Sequence, residues 1–302
     1  MSRLLCRNKS IELLEPYEGK LSRTVLRGER GSNVPDLPDY WDMSVNGYTY
    51  ANKMLNLPDE YKVSGMPNGN QRIYEGKDIY RWEMRQFAGL DEKGNSLWYM
   101  DRDLTDGEGN VVGVEKVTTG DATEATQYLL EKSALPDFTG GLNTTLRWKS
   151  LDLTIMTNFQ FGGYGYDYDF SAFSSANFPM NRLKNYADAW NPETGKGSAP
   201  IWNTNDSNIN ASSDRFLISK TYFNLRNITL GYTFPANWMS KIGIKSVRVY
   251  FACDNVFFAS KRKGYDPRTS MGGQGATVAL NSVDGTYYSP IRTTSVGLNI
   301  NF

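Results

Sequence analysis

An all-β fold is what this sequence of 302 residues predicts, and three observations carry the prediction. Apolar and polar residues alternate with a period of two through several segments, which is the spacing of side chains on the two faces of a strand and not that of a helix. The composition is rich in aromatics and glycine, with 19 Tyr, 14 Phe, 7 Trp and 28 Gly, as suits strands joined by many turns. No run approaches the ~20 apolar residues that a transmembrane helix requires.

The first 40 residues are the least readable. Glu15–Gly19 and Gly28–Asp39 read as turn and loop, with a strand near Leu21–Leu26. Alternation begins at Trp41, with Trp41, Met43, Val45 and Thr49 on one face and Asp42, Ser44 and Asn46 on the other. After a Gly/Asn/Pro-punctuated stretch, Ile79–Leu90 is a mixed strand. The turn Asp91–Asn95 and a return strand Ser96–Asp101 make a hairpin with it. In the connection that follows, Asp121 and Glu124 are spaced as a capping box and predict a helix over Asp121–Lys132.

Two clean amphipathic strands come next, Phe138–Trp148 and Leu151–Phe161, separated only by Lys149 and Ser150. Leu142, Leu146 and Trp148 oppose Asn143, Thr145 and Arg147 in the first. Leu153, Ile155 and Phe159 oppose Asp152, Thr154 and Asn158 in the second. A long Gly/Tyr/Asn/Ser segment covers 162–220, with a helical turn or two expected at Met180–Trp190. The remaining strands are Thr221–Phe234, stopped by Pro235, then Ser246–Phe258, and finally Ile291–Phe302. That makes about eight strands from Trp41 to Phe302.

Charge and residue types exclude several functions. Lys plus Arg number 33 and Asp plus Glu number 33, a balance that argues against a nucleic-acid partner. The absence of histidine removes the commonest general base and zinc ligand, and Cys6 and Cys253 are too far apart in sequence to specify a metal site or disulfide framework. The acidic run Asp101, Asp103, Asp106 and Glu108 misses the EF-hand pattern and reads as a solvated loop. The Gly-rich stretch at 162–170 lacks the lysine and strand-to-helix context of a phosphate loop. No residue takes a catalytic role, and no cofactor or metal is implied.

Short connections at 91–95, 149–150 and 235–245 interleave with long ones at 52–78, 102–137, 162–220 and 259–290. A compact soluble domain has little use for several such long loops. A transmembrane outer-membrane barrel does, because its periplasmic turns are short and its extracellular loops long. The last strand is about one bilayer crossing in length and ends on an aromatic. In this arrangement the apolar stripe meets lipid and the polar stripe meets a wet lumen.

Particular words in the chain then resemble a known family. P-D-F-T-G-G-L (136–142), the strands through Gly162-Gly163, Y-F-N-L-R-N-I-T-L-G-Y-T-F-P (222–235), D-N-V-F (254–257), G-Y-D-P (264–267) and the ending Y-S-P-I-R…G-L-N-I-N-F resemble the C-terminal barrel part of SusC/RagA-type TonB-dependent outer-membrane transporters. The hairpin D-E-K-G-N-S-L-W-Y (91–99) fits as well. The resemblance implies an all-β chain forming the C-terminal portion of a plugged barrel that imports oligosaccharides or peptides across the outer membrane of a Gram-negative bacterium. It implies a SusD-like surface lipoprotein as lid, TonB acting through a plug domain absent from this chain, outer-membrane lipid, and the barrel-assembly machinery. Ser295, Gly297, Ile300 and Phe302 match the family's terminal insertion signal.

On this basis 41–302 is a barrel segment, 1–40 is undetermined, and the chain reads as a fragment. Tyr164, Tyr166, Tyr168 and Trp202 are candidates to stack on substrate rings, with packing of the loops as the other use of the same side chains. Three other readings stand beside the importer. One is a complete small outer-membrane barrel, another a non-functional transporter remnant, and the last a soluble all-β carbohydrate-binding protein or glycosidase.

Overall fold

The computed structural model describes residues 4–9, 40–174, 184, 188–203, 208–209, 211–261, 266–267 and 290–302. In chain order the strands are β1 (Leu4–Lys9), β2 (Tyr40–Met54), β3 (Met66–Asn68), β4 (Gln71–Ile73), β5 (Arg81–Arg85), β6 (Phe87–Leu90), β7 (Ser96–Thr105) and β8 (Val111–Thr119). They continue with β9 (Gln127–Ser133), β10 (Phe138–Trp148), β11 (Leu151–Phe161), β12 (Tyr164–Tyr166), β13 (Leu217–Ser219), β14 (Tyr222–Thr233), β15 (Ser246–Ser260) and β16 (Thr293–Asn301). Two short helices, α1 (Tyr168–Phe173) and α2 (Ala236–Met239), lie in connections. Among the described residues no helix is long and apolar enough to cross a membrane, which says nothing of strands.

The long strands form one antiparallel seven-stranded sheet in the order β1-β2-β10-β11-β14-β15-β16. Its registers run unbroken between β10 and β11 and between β15 and β16. One irregularity falls between Leu225 and Asn227, where β14 meets β15. There Asn255 takes φ +51, a left-handed value that asparagine tolerates better than most residues. Bulges of this kind raise the local twist that a curved sheet needs. From β2 onward the sheet's connections alternate in length, being long at 55–137, 162–221 and 261–292 and short at 149–150 and 234–245, whereas 10–39, between β1 and β2, departs from that alternation. The short end is stitched by Thr233 N–H to Ser150 O (2.8 Å) and Lys245 N–H to Asn301 O (2.9 Å).

The long connections 55–137 and 162–221 carry the small sheets, β3-β4-β5-β9, β6-β7-β8 and β12-β13. They fold together into a cap with its own core. Trp82, Met84, Leu130 and Ala134 from the first connection pack with Tyr166 and Phe216 from the second. A second cluster joins Leu57, Ile73 and Ile79 to Met54 at the end of β2, and a third forms around Trp98.

Several expectations change here. The mixed segment Ile79–Leu90 is two strands in two sheets, β5 and β6, so its hairpin with β7 belongs to the cap and not to the large sheet. The predicted helix at Asp121–Lys132 does not form. Asp121 does cap a turn, accepting from Thr123 N–H at 2.8 Å, but Glu124 accepts from Thr119 Oγ1 and never closes the capping box. Beyond the turn, β9 pairs with β5 and buries Leu130 in the cap core, so tertiary pairing overrides the local signal. The expected strand at Leu21–Leu26 lies outside the described residues, as does most of the Met180–Trp190 segment.

Candidate membrane wall and outer cap

Directly paired residues across the large sheet share a face, so the registers sort its side chains. One face carries Trp41, Met43 and Val45 from β2, Leu142, Leu146 and Trp148 from β10, and Leu151, Leu153, Ile155 and Phe159 from β11. It continues through Phe223, Leu225, Ile228 and Leu230 on β14, Val249, Phe251, Cys253 and Phe257 on β15, and Val296, Leu298 and Ile300 on β16. From Trp41 to Ala51 on β2 and along β10, β11, β15 and β16 the residues sorted to this face carry no charge, and Lys53 follows on it only at the cap end of β2. It is also largely uncovered: Trp148 is 55% exposed, Phe251 45% and Leu298 57%. A continuous apolar surface of this extent is far larger than a soluble monomer leaves to water.

The opposite face is polar. It presents Tyr40, Asp42, Ser44 and Asn46, then Arg147, Thr145 and Asn143, then Asp152, Thr154 and Asn158. β14, β15 and β16 add Asn224, Thr229, Arg248, Asp254, Ser295 and Asn299. Near the short-turn end Arg248 grips Asp152 with both nitrogens, Nε to Oδ1 at 3.0 Å and Nη2 to Oδ2 at 2.6 Å. Near the cap, Asn224 donates to Asn158 Oδ1 at 2.8 Å, and Asn158 to the Tyr222 hydroxyl at 3.3 Å. A sheet with lipid-compatible side chains on one face and paired polar groups on the other is the wall of a transmembrane barrel.

Cap and wall join through the residues that spell P-D-F and G-G. Asp137 N–H donates to Phe161 O at 3.0 Å. Gly162 and Gly163 both take left-handed φ, +73 and +72. A Cβ on Gly162 would collide with the Asp137 carboxylate, and one on Gly163 would crowd the backbone of Leu135 and Pro136. Beside them Lys220 Nζ donates to Ala134 O at 3.3 Å, and burial lowers the pKa of its ammonium.

The sequence-derived candidates fall in different places. Tyr166 is buried at 4% exposure, its ring 4.4 Å from that of Tyr168 and its hydroxyl 3.2 Å from Ser171 Oγ. Tyr164 and Tyr168 are half-buried at the edge of the same cluster, Tyr164 beneath Lys132 Nζ at 5.2 Å. Trp202 is 45% exposed and follows Ile201, whose N–H donates to Gly94 O in the β6–β7 turn. In β16, Ser295 and Gly297 lie on the polar face opposite Ala252 and Tyr250, whereas Ile300 lies on the apolar face opposite Val247, and Phe302 is 78% exposed at the chain's end.

The acidic run is not a single loop: Asp101 and Asp103 lie in β7, paired with Lys116 and Val114 of β8, and only Asp106 and Glu108 are in the turn that follows. Asp106 accepts from Asn110 N–H, Asn110 Nδ2 and Glu108 N–H, led by the Asn110 amide, and these bonds hold its carboxyl below the usual carboxylate range. Asp91 closes the β6–β7 turn with the same pattern onto Lys93 and Asn95. Asp101 accepts from the Tyr128 hydroxyl at 2.6 Å. Sequence reasoning missed β8, although the valine-rich run at 111–119 behind the D-G-E-G-N turn is the pattern of a hairpin's return strand.

No family model matches the chain. Among curated proteins, the TonB-dependent receptor P3 of Formosa agariphila is 24% identical over 291 residues, covering 89% of this chain and 27% of that protein. The TonB-dependent receptor SusC of Bacteroides thetaiotaomicron is 24% identical over 269 residues, covering 87% of this chain and 24% of its own length. A solved structure of the RagAB peptide transporter superposes with a TM-score of 0.67 at 24% identity, covering 92% of this chain and 28% of that one. The chain is thus similar to TonB-dependent receptors such as SusC, and about a quarter of the RagAB transporter chain shares its fold. It spans about a quarter of the length of the curated relatives it matches. Those relatives are named as receptors, and none as an enzyme.

Proposed function

We infer that this chain supplies the C-terminal wall and part of the outer cap of a TonB-dependent importer in the outer membrane of a Gram-negative bacterium. Residues 41–302 form the barrel segment, and β1 (Leu4–Lys9) from the first 40 residues adds a strand beside β2. The long connections face outward and the short turns face the periplasm. The imported molecule is an oligosaccharide or a peptide. Trp202 and the exposed edges of Tyr164 and Tyr168 are the cap aromatics open to it, while the burial of Tyr166 assigns that ring to packing. A SusD-like lipoprotein covers the cap, TonB acts through a plug outside this chain, and the barrel-assembly machinery engages β16 through Ser295, Gly297, Ile300 and Phe302.

One observation carries this reading: the exposed apolar face that runs from Trp41 to Ile300 over six strands, with Lys53 only at its cap end. Its test uses the chain's own tryptophans. Trp41 and Trp148 lie on that face at 43% and 55% exposure, whereas Trp82 and Trp98 are buried in the cap. In vesicles containing brominated phospholipid, tryptophan emission of the refolded chain is quenched, and the combined Trp41→Phe, Trp148→Phe variant loses most of that quenching. Quenching that is absent, or that the double variant leaves unchanged, refutes the membrane wall.

A further inference from the structure

The polar face holds a diagonal brace over four strands. Asp152 on β11, Gly231 on β14, Tyr250 on β15 and Gly297 on β16 stand in direct register. Strands two apart in a sheet are separated by about 9–10 Å. Arg248 nonetheless reaches from β15 across β14 to grip Asp152, because the strand between them carries Gly231 at the crossing. A Cβ built there would overlap the Arg248 guanidinium and the Asp152 carboxylate. The same guanidinium lies 5.3 Å from the centroid of the Tyr250 ring. Tyr250 in turn extends the other way and lies over Gly297, where an added Cβ would overlap its ring and hydroxyl.

We propose that the Tyr250 ring, anchored through Arg248 to Asp152, is a register lock for the last strand, and that Gly297 is its seat. Among the described residues β16 bonds to β15 alone, so within this chain its register is set against β15. Gly297 is the one glycine in β16. A slip by one residue would bring Val296 or Leu298 under the ring and turn the apolar side chains to the polar face. A slip by two keeps the faces but places the side chain of Ser295 or Asn299 where the ring must lie. The glycine of the terminal signal is therefore required by the chain's own tyrosine. The lock deepens the insertion role given to β16 above and rests on that reading for its consequence in the cell, while its geometry is testable without a membrane.

The test is a double-substitution cycle read by cross-linking. In the full chain, held in detergent micelles with Cys6 and Cys253 changed to serine, Phe251→Cys and Val296→Cys introduce a pair that is directly opposite in the native register. Oxidative cross-linking of that pair reports register independently of overall stability. Gly297→Ala is expected to lower the yield about tenfold, the size of a mild overpacking cost. Tyr250→Ala lowers it less, and adding Gly297→Ala to Tyr250→Ala costs nothing more. Tyr250→Phe, which keeps the ring, keeps the yield. An equal loss from Gly297→Ala with and without the tyrosine ring, or no loss in either background, overturns the lock. Failure of lipid quenching with the coupling intact would sink the membrane wall and leave the lock standing.

Discussion

Wall and cap solve the burial problem in opposite ways. Of the buried apolar side chains among the described residues, only Met54 belongs to a strand of the large sheet; the others, Trp82, Trp98 and Phe216 among them, lie in the cap. The cap has a conventional apolar interior, although its β7–β8 hairpin leaves Leu104, Val111, Val112 and Val114 exposed. The wall turns its apolar side chains outward and pairs polar groups on the other face, so its apolar surface becomes an asset only when lipid replaces water. Cap stability is therefore intrinsic, and wall stability belongs to the chain and its bilayer together.

The largest expected effect divides the two regions. Trp82 is 3% exposed at the centre of the cap core, and its Nε1 donates to Tyr164 O at 3.1 Å. Trp82→Ala should cost the cap about 3–5 kcal/mol. Limited proteolysis of the chain in micelles is expected to cut within 55–137 and 162–221 while the wall strands stay protected. Cleavage of wall and cap together at the same protease concentration would show one cooperative unit and erase the distinction.

A charge on the apolar face comes next. Ile228 pairs with Ile155 and Cys253 in the middle of that face. Ile228→Arg should cost about 2–4 kcal/mol near the bilayer midplane. Val112→Arg on the exposed β8, 66% open, should stay within about 0.5 kcal/mol. Urea titration of the vesicle-bound chain compares them. Equal costs would mean that the two surfaces meet the same solvent.

The junction offers a smaller effect. Gly162→Ala forces a side chain into left-handed backbone and against the Asp137 carboxylate, at a cost of about 1–3 kcal/mol. Because Asp137 N–H bonds Phe161 O there, faster hydrogen exchange at the Asp137 amide is the expected signature, with the amides of Leu153 and Leu230 unchanged. Exchange that accelerates evenly across the wall would place the strain elsewhere.

What was legible in the sequence follows the same division. Wall strands from β2 onward read clearly because each needs one apolar face, so alternation in 138–148, 151–161 and 291–302 carries the answer without knowledge of partners, whereas β1, inside the undetermined first 40 residues, went unread. Cap strands did not read clearly. β5 and β6 share one mixed run because the chain changes sheets at Gln86, and the alternation breaks where the sheet does. At Asp121 the local cap formed and the helix did not, since Leu130 is buried by pairing with β5, a contact about fifty residues away in sequence. The aromatics offered as substrate contacts were indistinguishable in sequence from core residues, and only burial separates Tyr166 from Trp202. Gly297 matched a family signal in sequence, but its physical partner Tyr250 emerged only from the register.

The smallest effect is electrostatic and confined to the cap. Tyr128 on β9 donates its hydroxyl to Asp101 on β7, and Lys116 Nζ stands 4.4 Å from the ring centroids of both Tyr128 and Tyr99. Partial burial first, and the hydrogen bond to the Asp101 carboxylate second, push the Tyr128 pKa up to about 12 from 10.0. An acid whose folded pKa is raised stabilises the fold below its unfolded pKa and loses that contribution as pH climbs through the folded value. The contribution of this pair is thus present at neutral pH and disappears between about pH 10 and 12. Ultraviolet difference titration of the wild type against Tyr128→Phe should show the missing tyrosine ionising last. Asp101→Asn removes the negative charge and should bring that ionisation down toward the bulk of the tyrosines. If Tyr128 titrates with the bulk in the wild type as well, the hydroxyl is solvated and β7 and β9 are not tied at this point.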